Sequence, residues 1–362
     1  MTQKLRQRGL SLVELLIAMA LGVVLTLGVV QIFLGNSQTY RMTDAMARMQ
    51  ENVRFSLEYL KYELRLAGYR GCTTRINNLL AADAANPGAG GFFMGQGLQG
   101  WEYAETGPGG AYDLVLAGPG NFQGDVDGFP PELAGDVMAG SDVFVVNRAQ
   151  RLPVDVQSIS GTTLKLVDDA EIAQGAIIVA TNANCSGGDM FQKTNNENSA
   201  DITKGVMGGF VPGNRNIPSN PFTQAYGPGA AILVNTSTAY YIGENPNGDP
   251  ALYRYIFDAT GSGSAEELVD GVENMQVLYG VAANDDVVGV DSYVTAENVG
   301  NWDNVVSVRI ALLMRSQDAT LNFGAEEDDP SFNLAGAVID TPNDRRARLV
   351  GTTTVAVRSR AK

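Results

Sequence analysis

From Leu10 to Leu34 the chain reads LSLVELLIAMALGVVLTLGVVQIFL, an apolar run whose one charge is Glu14. As a helix, about 25 residues reach about 37 Å, enough to cross a bilayer core of about 30 Å. A polar break follows at Gly35-Asn36-Ser37-Gln38. Apolar residues then recur at Met42, Met46, Met49, Val53, Leu57, Leu60, Leu64 and Ala67. Those steps of three and four line one face of an amphipathic helix. No proline occurs before Pro87, so the two runs predict one unbroken helix of about 59 residues, or about 88 Å. Gly68 and Gly71 supply its stop. The first half can pack on helices of other subunits. The second half has a stripe to cover, most simply with the chain's own sheet. The methionines of that stripe read as core packing before they read as an interaction surface. Asp44 with Arg48, and Arg54 with Glu58, form i,i+4 pairs on other faces.

After Gly71 the period changes to short β-like runs separated by Gly, Asn, Asp and Pro. The predicted strands are Tyr112–Ala117, Ser141–Asn147, Asp155–Ser160, Thr163–Val167, Ala176–Thr181, Ala231–Asn235, Ala239–Gly243, Ala251–Phe257, Met275–Val281, Val305–Leu313 and Gly351–Arg358. Short runs with turn signals between them predict antiparallel sheet. A long helix followed by many such strands is an α+β arrangement. Two stretches, Ala82–Pro131 and Asn182–Pro228, read as long loops and are the natural seats of anything specific to this chain.

Charge adds an orientation. The chain of 362 residues carries 25 Lys+Arg against 40 Asp+Glu, a net charge of −15. Lys4, Arg6 and Arg8 all precede Gly9, and no acid does. Basic residues on only one side of an apolar span place that side in the cytoplasm. The acidic remainder repels phosphate backbones, so no nucleic-acid partner is expected. The apolar run is too long for a cleaved secretory signal, and no A-x-A-like site closes it. Glu14 is the residue that needs explaining. A carboxylate deep in an apolar span costs about 2.5–3.5 kcal/mol on insertion scales, less near the edge. A cut after Gly9 would create a compensating charge, the free amine of Leu10, four residues before Glu14.

Arg8-Gly9-Leu10-Ser11-Leu12-Val13-Glu14-Leu15-Leu16 resembles the prepilin peptidase site of type IV pilins and type II secretion pseudopilins. The resemblance implies cleavage between Gly9 and Leu10 and N-methylation of Leu10. It also implies that Glu14 pairs with the amino terminus of a neighbouring subunit during assembly. Leu10 departs from the phenylalanine usual at that position. Further matches lie downstream: Leu66-Ala-Gly-Tyr-Arg-Gly-Cys72, Leu252-Tyr-Arg254, Leu268-Val-Asp-Gly-Val-Glu-Asn-Met-Gln-Val-Leu-Tyr-Gly280, Asp303–Ser316 and Thr353-Thr-Val-Ala-Val-Arg358. Together they look like a PilW-type minor pilin of the type IV pilus, with Arg358-Ser359 where Arg-Asn is usual.

The implied organisation is a leader over 1–9, a transmembrane and filament-core helix over 10–34, an amphipathic continuation over 35–69, and a periplasmic β-rich domain over 70–362. The implied location is the inner membrane of a Gram-negative bacterium, crossed once, and then the pilus. The implied role is to help initiate pilus assembly as part of a tip complex. The implied partners are other minor pilins, the major pilin, prepilin peptidase, the assembly platform with its ATPase, and a large tip adhesin. A minor pseudopilin of type II secretion, or a tip module for adhesion, is the alternative.

The two cysteines, Cys72 and Cys185, would sit in an oxidising compartment, where a disulfide is permitted. Such a bond would close roughly 110 residues, worth up to about 4.7 kcal/mol in the loop-entropy account; two buried free thiols are the other reading. No histidine is present, which removes the usual Ser-His-Asp and Cys-His catalysis, and no enzymatic role is expected. No cofactor is expected either. Gly95-Gln-Gly-Leu-Gln-Gly100 matches a dinucleotide fingerprint but lacks the βαβ unit that would give it meaning. Asp125-Val-Asp127-Gly128 opens like a calcium loop, yet the EF-hand register puts Pro130 where glycine is required. Glu326-Glu-Asp-Asp329 reads as a solvated charge run. A calcium site of another kind at either cluster is a minor alternative.

Overall fold

The computed structural model describes residues 11–81, 96–114, 122–123, 129–168, 170–205, 213–215, 221–257, 263–283, 289–319 and 330–357. One helix, α1, runs without interruption from Leu12 to Arg65. The polar break at 35–38 does not end it. Thr26, Thr39 and Thr43 return their hydroxyls to the carbonyls of Gly22, Gly35 and Thr39, so these polar groups are satisfied within the helix. The chain turns out of α1 through Gly68, whose φ of 74° suits glycine.

The strands follow in order. They are β1 (Ile76–Asn78), β2 (Leu98–Tyr103), β3 (Ala111–Asp113), β4 (Phe122–Gln123), β5 (Val143–Arg151), β6 (Val156–Ser160), β7 (Thr163–Leu166), β8 (Ile177–Thr181), β9 (Gly188–Gln192) and β10 (Ile202–Thr203). After them come β11 (Ala231–Glu244), β12 (Pro250–Phe257), β13 (Gly263–Asp270), β14 (Val272–Val281), β15 (Ser292–Val294), β16 (Val305–Ala319), β17 (Ser331–Leu334), β18 (Ala337–Asp340) and β19 (Arg346–Ala356). Nine of them form the largest sheet, ordered β1-β9-β8-β11-β5-β2-β4, with β12 on β11 and β13 on β12. A four-stranded sheet is ordered β15-β14-β16-β19, and two three-stranded sheets are β10-β7-β6 and β17-β18-β3. Pairing is antiparallel except for β1 with β9 and β18 with β3.

The helix, the four-stranded sheet and one face of the large sheet close on a single core. Met49, Leu60, Leu64 and Ala67 of the helix segment meet Val277, Ile310 and Leu312 on one side and Phe144, Tyr240 and Leu252 on the other. The predicted stripe is therefore covered by the chain's own sheets, as far out as Met46. Met42 alone stays exposed. Strand β16 is buried on both faces, because Ala311 and Leu313 point away from the helix into a second cluster with Leu334 and Ile339. Burial on two faces is why its sequence reads as a continuous apolar run rather than an alternation.

Several predicted boundaries change. Ala231–Asn235 and Ala239–Gly243 are one strand. The Asn235–Thr238 stretch between them looks like a turn in sequence but pairs with β5, where the Thr236 hydroxyl bonds the Arg148 carbonyl and that of Ser237 bonds Asn147. Cross-strand partners hold polar residues that a turn would otherwise claim. The two stretches read as loops contain β2, β3, β4, β9 and β10. The parts over 82–95, 115–121, 124–128, 206–212 and 216–220 lie outside the described residues, as do the acidic clusters at 125–128 and 326–329. Glu58 pairs with Lys61, 3.0 Å away, rather than forming the expected pair with Arg54.

Candidate functional site

Leu12 to Leu34 lie on the molecular surface, with Leu12 at 74% and Phe33 at 70% exposure. This half is long and apolar enough to cross a membrane, and none of it is buried against its own chain. At its start Ser11 caps the helix. The Ser11 hydroxyl accepts the Glu14 N–H at 3.2 Å, and a Glu14 carboxylate oxygen accepts the Ser11 N–H at 3.0 Å. This is a reciprocal capping box. The signal is present in the sequence as Ser11-Leu-Val-Glu14; the sequence reading sought a cation for Glu14 and did not name this neutral partner. Gly9 and Leu10 lie outside the described residues.

The other end of α1 is fastened by polar contacts as well as packing. Glu63 is buried and takes Arg148 of β5 at 2.9 Å. Tyr59 accepts from Arg254 of β12 at 2.8 Å. Past the helix end, Gly68 donates to the Asn147 carbonyl and Ala149 donates to the Tyr69 carbonyl, so the exit is stitched to β5. Gly97 lies so close to Gly68 that a Cβ there would fall 2.4 Å from its Cα. Gly100 faces the Tyr279 hydroxyl in the same way. Gly97 and Gly100 of the false dinucleotide motif are thus needed for close approach inside an antiparallel sheet, beside and within β2. Cys72 and Cys185 form a disulfide with 5.6 Å between their Cα atoms, linking the residues after the helix to the β8–β9 turn.

The four-stranded sheet holds a charge cluster that sequence reasoning did not find. Glu273 is fully buried and is gripped at both oxygens by Arg348, at 2.6 and 2.9 Å. Arg348 also holds Asp344 at 2.8 Å, while Arg315 reaches Asp249 at 2.7 Å and Glu273 at 3.6 Å. The bidentate geometry and the two carboxylates raise the Arg348 pKa against the opposing effect of burial. These partners are up to 99 positions apart in sequence between Asp249 and Arg348, so no local pattern announces them. Among the described residues no group of three or more His, Cys, Asp or Glu could hold a metal ion.

Residues 239–359 match the family model of the type IV pilus-assembly protein W, PilW, and residues 4–30 match the prokaryotic N-terminal methylation motif. Together the two matches support a type IV pilus-related pilin of the PilW type. The PilW match takes in the second part of β11 and every strand after it, so it contains the whole four-stranded sheet and the Glu273 cluster. The methylation motif takes in the exposed, apolar start of α1. Between the two matches lie the buried half of the helix and β1 to β10. No curated protein and no solved structure matches this chain. Its helix offers one half to the outside and buries the other, and pilins as a family are structural rather than catalytic. The motif and the apolar helix together fit membrane anchoring followed by incorporation into a pilus.

Proposed function

We propose that the chain is a minor pilin that helps to initiate pilus assembly and takes a place in the tip complex. One observation carries the reading: the first half of α1 is apolar on all faces, buried on none, and bears a single charge, Glu14, at its capped start. Before assembly that half sits in the inner membrane, crossing it once, with Lys4, Arg6 and Arg8 on the cytoplasmic side and the β-rich domain in the periplasm. Cleavage between Gly9 and Leu10 leaves an amine on Leu10, which is then N-methylated. In the bundle, Glu14 of one subunit meets the amine of its neighbour. The capping box keeps the carboxylate oriented at the helix start until that exchange, since its partner there is a neutral N–H and a cation competes for it strongly.

Other minor pilins and the major pilin supply the helices that cover Leu12–Leu34, and prepilin peptidase and the inner-membrane platform act before that. A large adhesin is the partner proposed for the far end of the domain. Two measurements test the reading. Mass spectrometry of the processed chain is expected to find methylated Leu10 as its first residue. Co-purification from detergent is expected to recover other minor pilins with the wild type and to lose them with Glu14→Ala. Recovery of the same partners by both forms would sink the role assigned to Glu14.

A further inference from the structure

Two buried carboxyl groups sit side by side where the large sheet meets the four-stranded one, and neither belongs to the assembly motif. Glu102, on β2, is 2% exposed, and Asp142, just before β5, is 1% exposed. Asp142 is clamped from both sheets. One of its oxygens accepts the Tyr103 N–H of β2 at 3.0 Å and the other accepts the Val277 N–H of β14 at 2.8 Å. Its own N–H donates to the Met275 carbonyl at 2.9 Å. Asn274 and Gln276 side chains extend the seam by donating to the Gly140 carbonyl at 2.7 and 2.8 Å.

Glu102 stands opposite Asp142, one position beyond the Trp101–Val143 pairing of β2 with β5, and the two carboxyl groups interact. Its Oε1 takes a long bond of 3.5 Å from the Thr106 hydroxyl, and its Oε2 meets no donor. The titratable groups facing the pair are Glu297, from the short turn Ala296–Asn298, and Tyr279 of β14, whose buried hydroxyl also has no partner. All of these groups are acids. Two ionised carboxylates in contact, away from water, repel and leave their oxygens unsatisfied, whereas one proton between them converts a clash into a hydrogen bond. Asp142 already accepts two backbone N–H groups, so the proton belongs on Glu102.

We propose that Glu102 and Asp142 share one proton across the seam between the two sheets, and that this proton locks the seam: bound, it holds β2 to β14; lost, it loosens them. Burial, followed by the charges of Asp142 and Glu297, pushes the Glu102 pKa up to about 10. Burial also raises Asp142, to about 7, against the pull of its two backbone N–H groups and Glu102. A folded-state pKa above the unfolded value means that the folded chain holds protons the unfolded chain has released. The contribution is therefore complete below about pH 4, the ordinary carboxyl range. It declines as pH rises through neutrality and is gone once the pH passes the folded Glu102 value near 10.

The chain's two tryptophans both report on this place. Trp101 adjoins Glu102, and the Trp302 ring stacks edge-on against Tyr279 with 4.8 Å between centroids. The test is urea unfolding of the full-length chain in detergent at pH 5, 7 and 9, followed by tryptophan fluorescence, for wild type and Glu102→Gln. The amide keeps the donor to Asp142 and cannot ionise. The wild-type folding constant is expected to fall with rising pH by up to about tenfold per unit for each proton held. Glu102→Gln is expected to remove most of that slope and to equal or exceed wild type at pH 9. Equal slopes in the two forms would overturn the proposal. If the variant does not fold, infrared spectroscopy of wild type decides. A protonated-carboxyl stretch at pH 7 that disappears together with an alkaline fluorescence change supports the proposal, and its absence at pH 7 overturns it. Stabilisation at pH 9 by added calcium, seen in wild type and lost in Glu102→Gln, also overturns it, since a cation would then do the proton's work.

Discussion

Along α1, Leu12–Leu34 and Met46–Leu64 both carry many apolar residues, but only the second segment meets the rest of its own chain. The second has a stripe: apolar residues recur every three or four positions, with Arg, Glu and Asn between them, and the stripe fits the width of two converging sheets. The first has no polar face to turn toward water, so no single sheet could satisfy it. Periodicity therefore separates the part of a helix that folds from the part that must be solvated by lipid or by other helices.

The sharpest way to break this comparison is at Glu14. Glu14→Ala is expected to abolish incorporation into filaments, read by immunoblot of sheared pili, while the unfolding free energy of the β-rich domain in urea stays within about 0.5 kcal/mol of wild type. A matching loss of domain stability would mean that the two halves are not independent. Next in size is Arg348→Ala, which leaves buried Glu273 with only the longer Arg315 contact of 3.6 Å, in the sheet on which the helix rests. Loss of one partner of a buried ion pair costs about 3–5 kcal/mol, and chemical denaturation should show it without any change in processing at Gly9. Leu64→Ala, in the buried half, should cost about 2–5 kcal/mol, against no measurable change in domain stability for Leu25→Ala. Equal effects of the two leucine truncations would erase the distinction. The smallest effect is expected at the exposed pair Asp44–Arg48, where Asp44→Ala should shift the midpoint by less than about 0.5 kcal/mol.

The helix and most of the long strands were legible because each carries its own signal. Leu10–Leu34 is a run, Met46–Ala67 is a stripe, and Val305–Leu313 is a strand too apolar to be anything exposed. What escaped the sequence was decided by partners far away. Leu98–Tyr103 is a strand because β5 pairs with it, although Gly100 and the glycine-rich sequence before it suggest a loop. The acid pair joins residues 102 and 142, and the arginine grip joins 273 and 348, with nothing local to mark either. Ser11 was different. Its capping signature is wholly local, Ser11 followed three positions later by Glu14, and the same acid serves both as the membrane span's single charge and as half of the helix cap.

The link between Cys72 and Cys185 closes 113 positions of chain just beyond the point where α1 leaves the core. Tension entering through the helix and leaving through any part of the chain after residue 185 takes this covalent shortcut. The backbone between the two sulfurs, which includes β2, the seam at Asp142 and most of the large sheet's first strands, is then spared the pull. A subunit held at one end in a bundle and at the other by a partner could be stretched without paying out that loop.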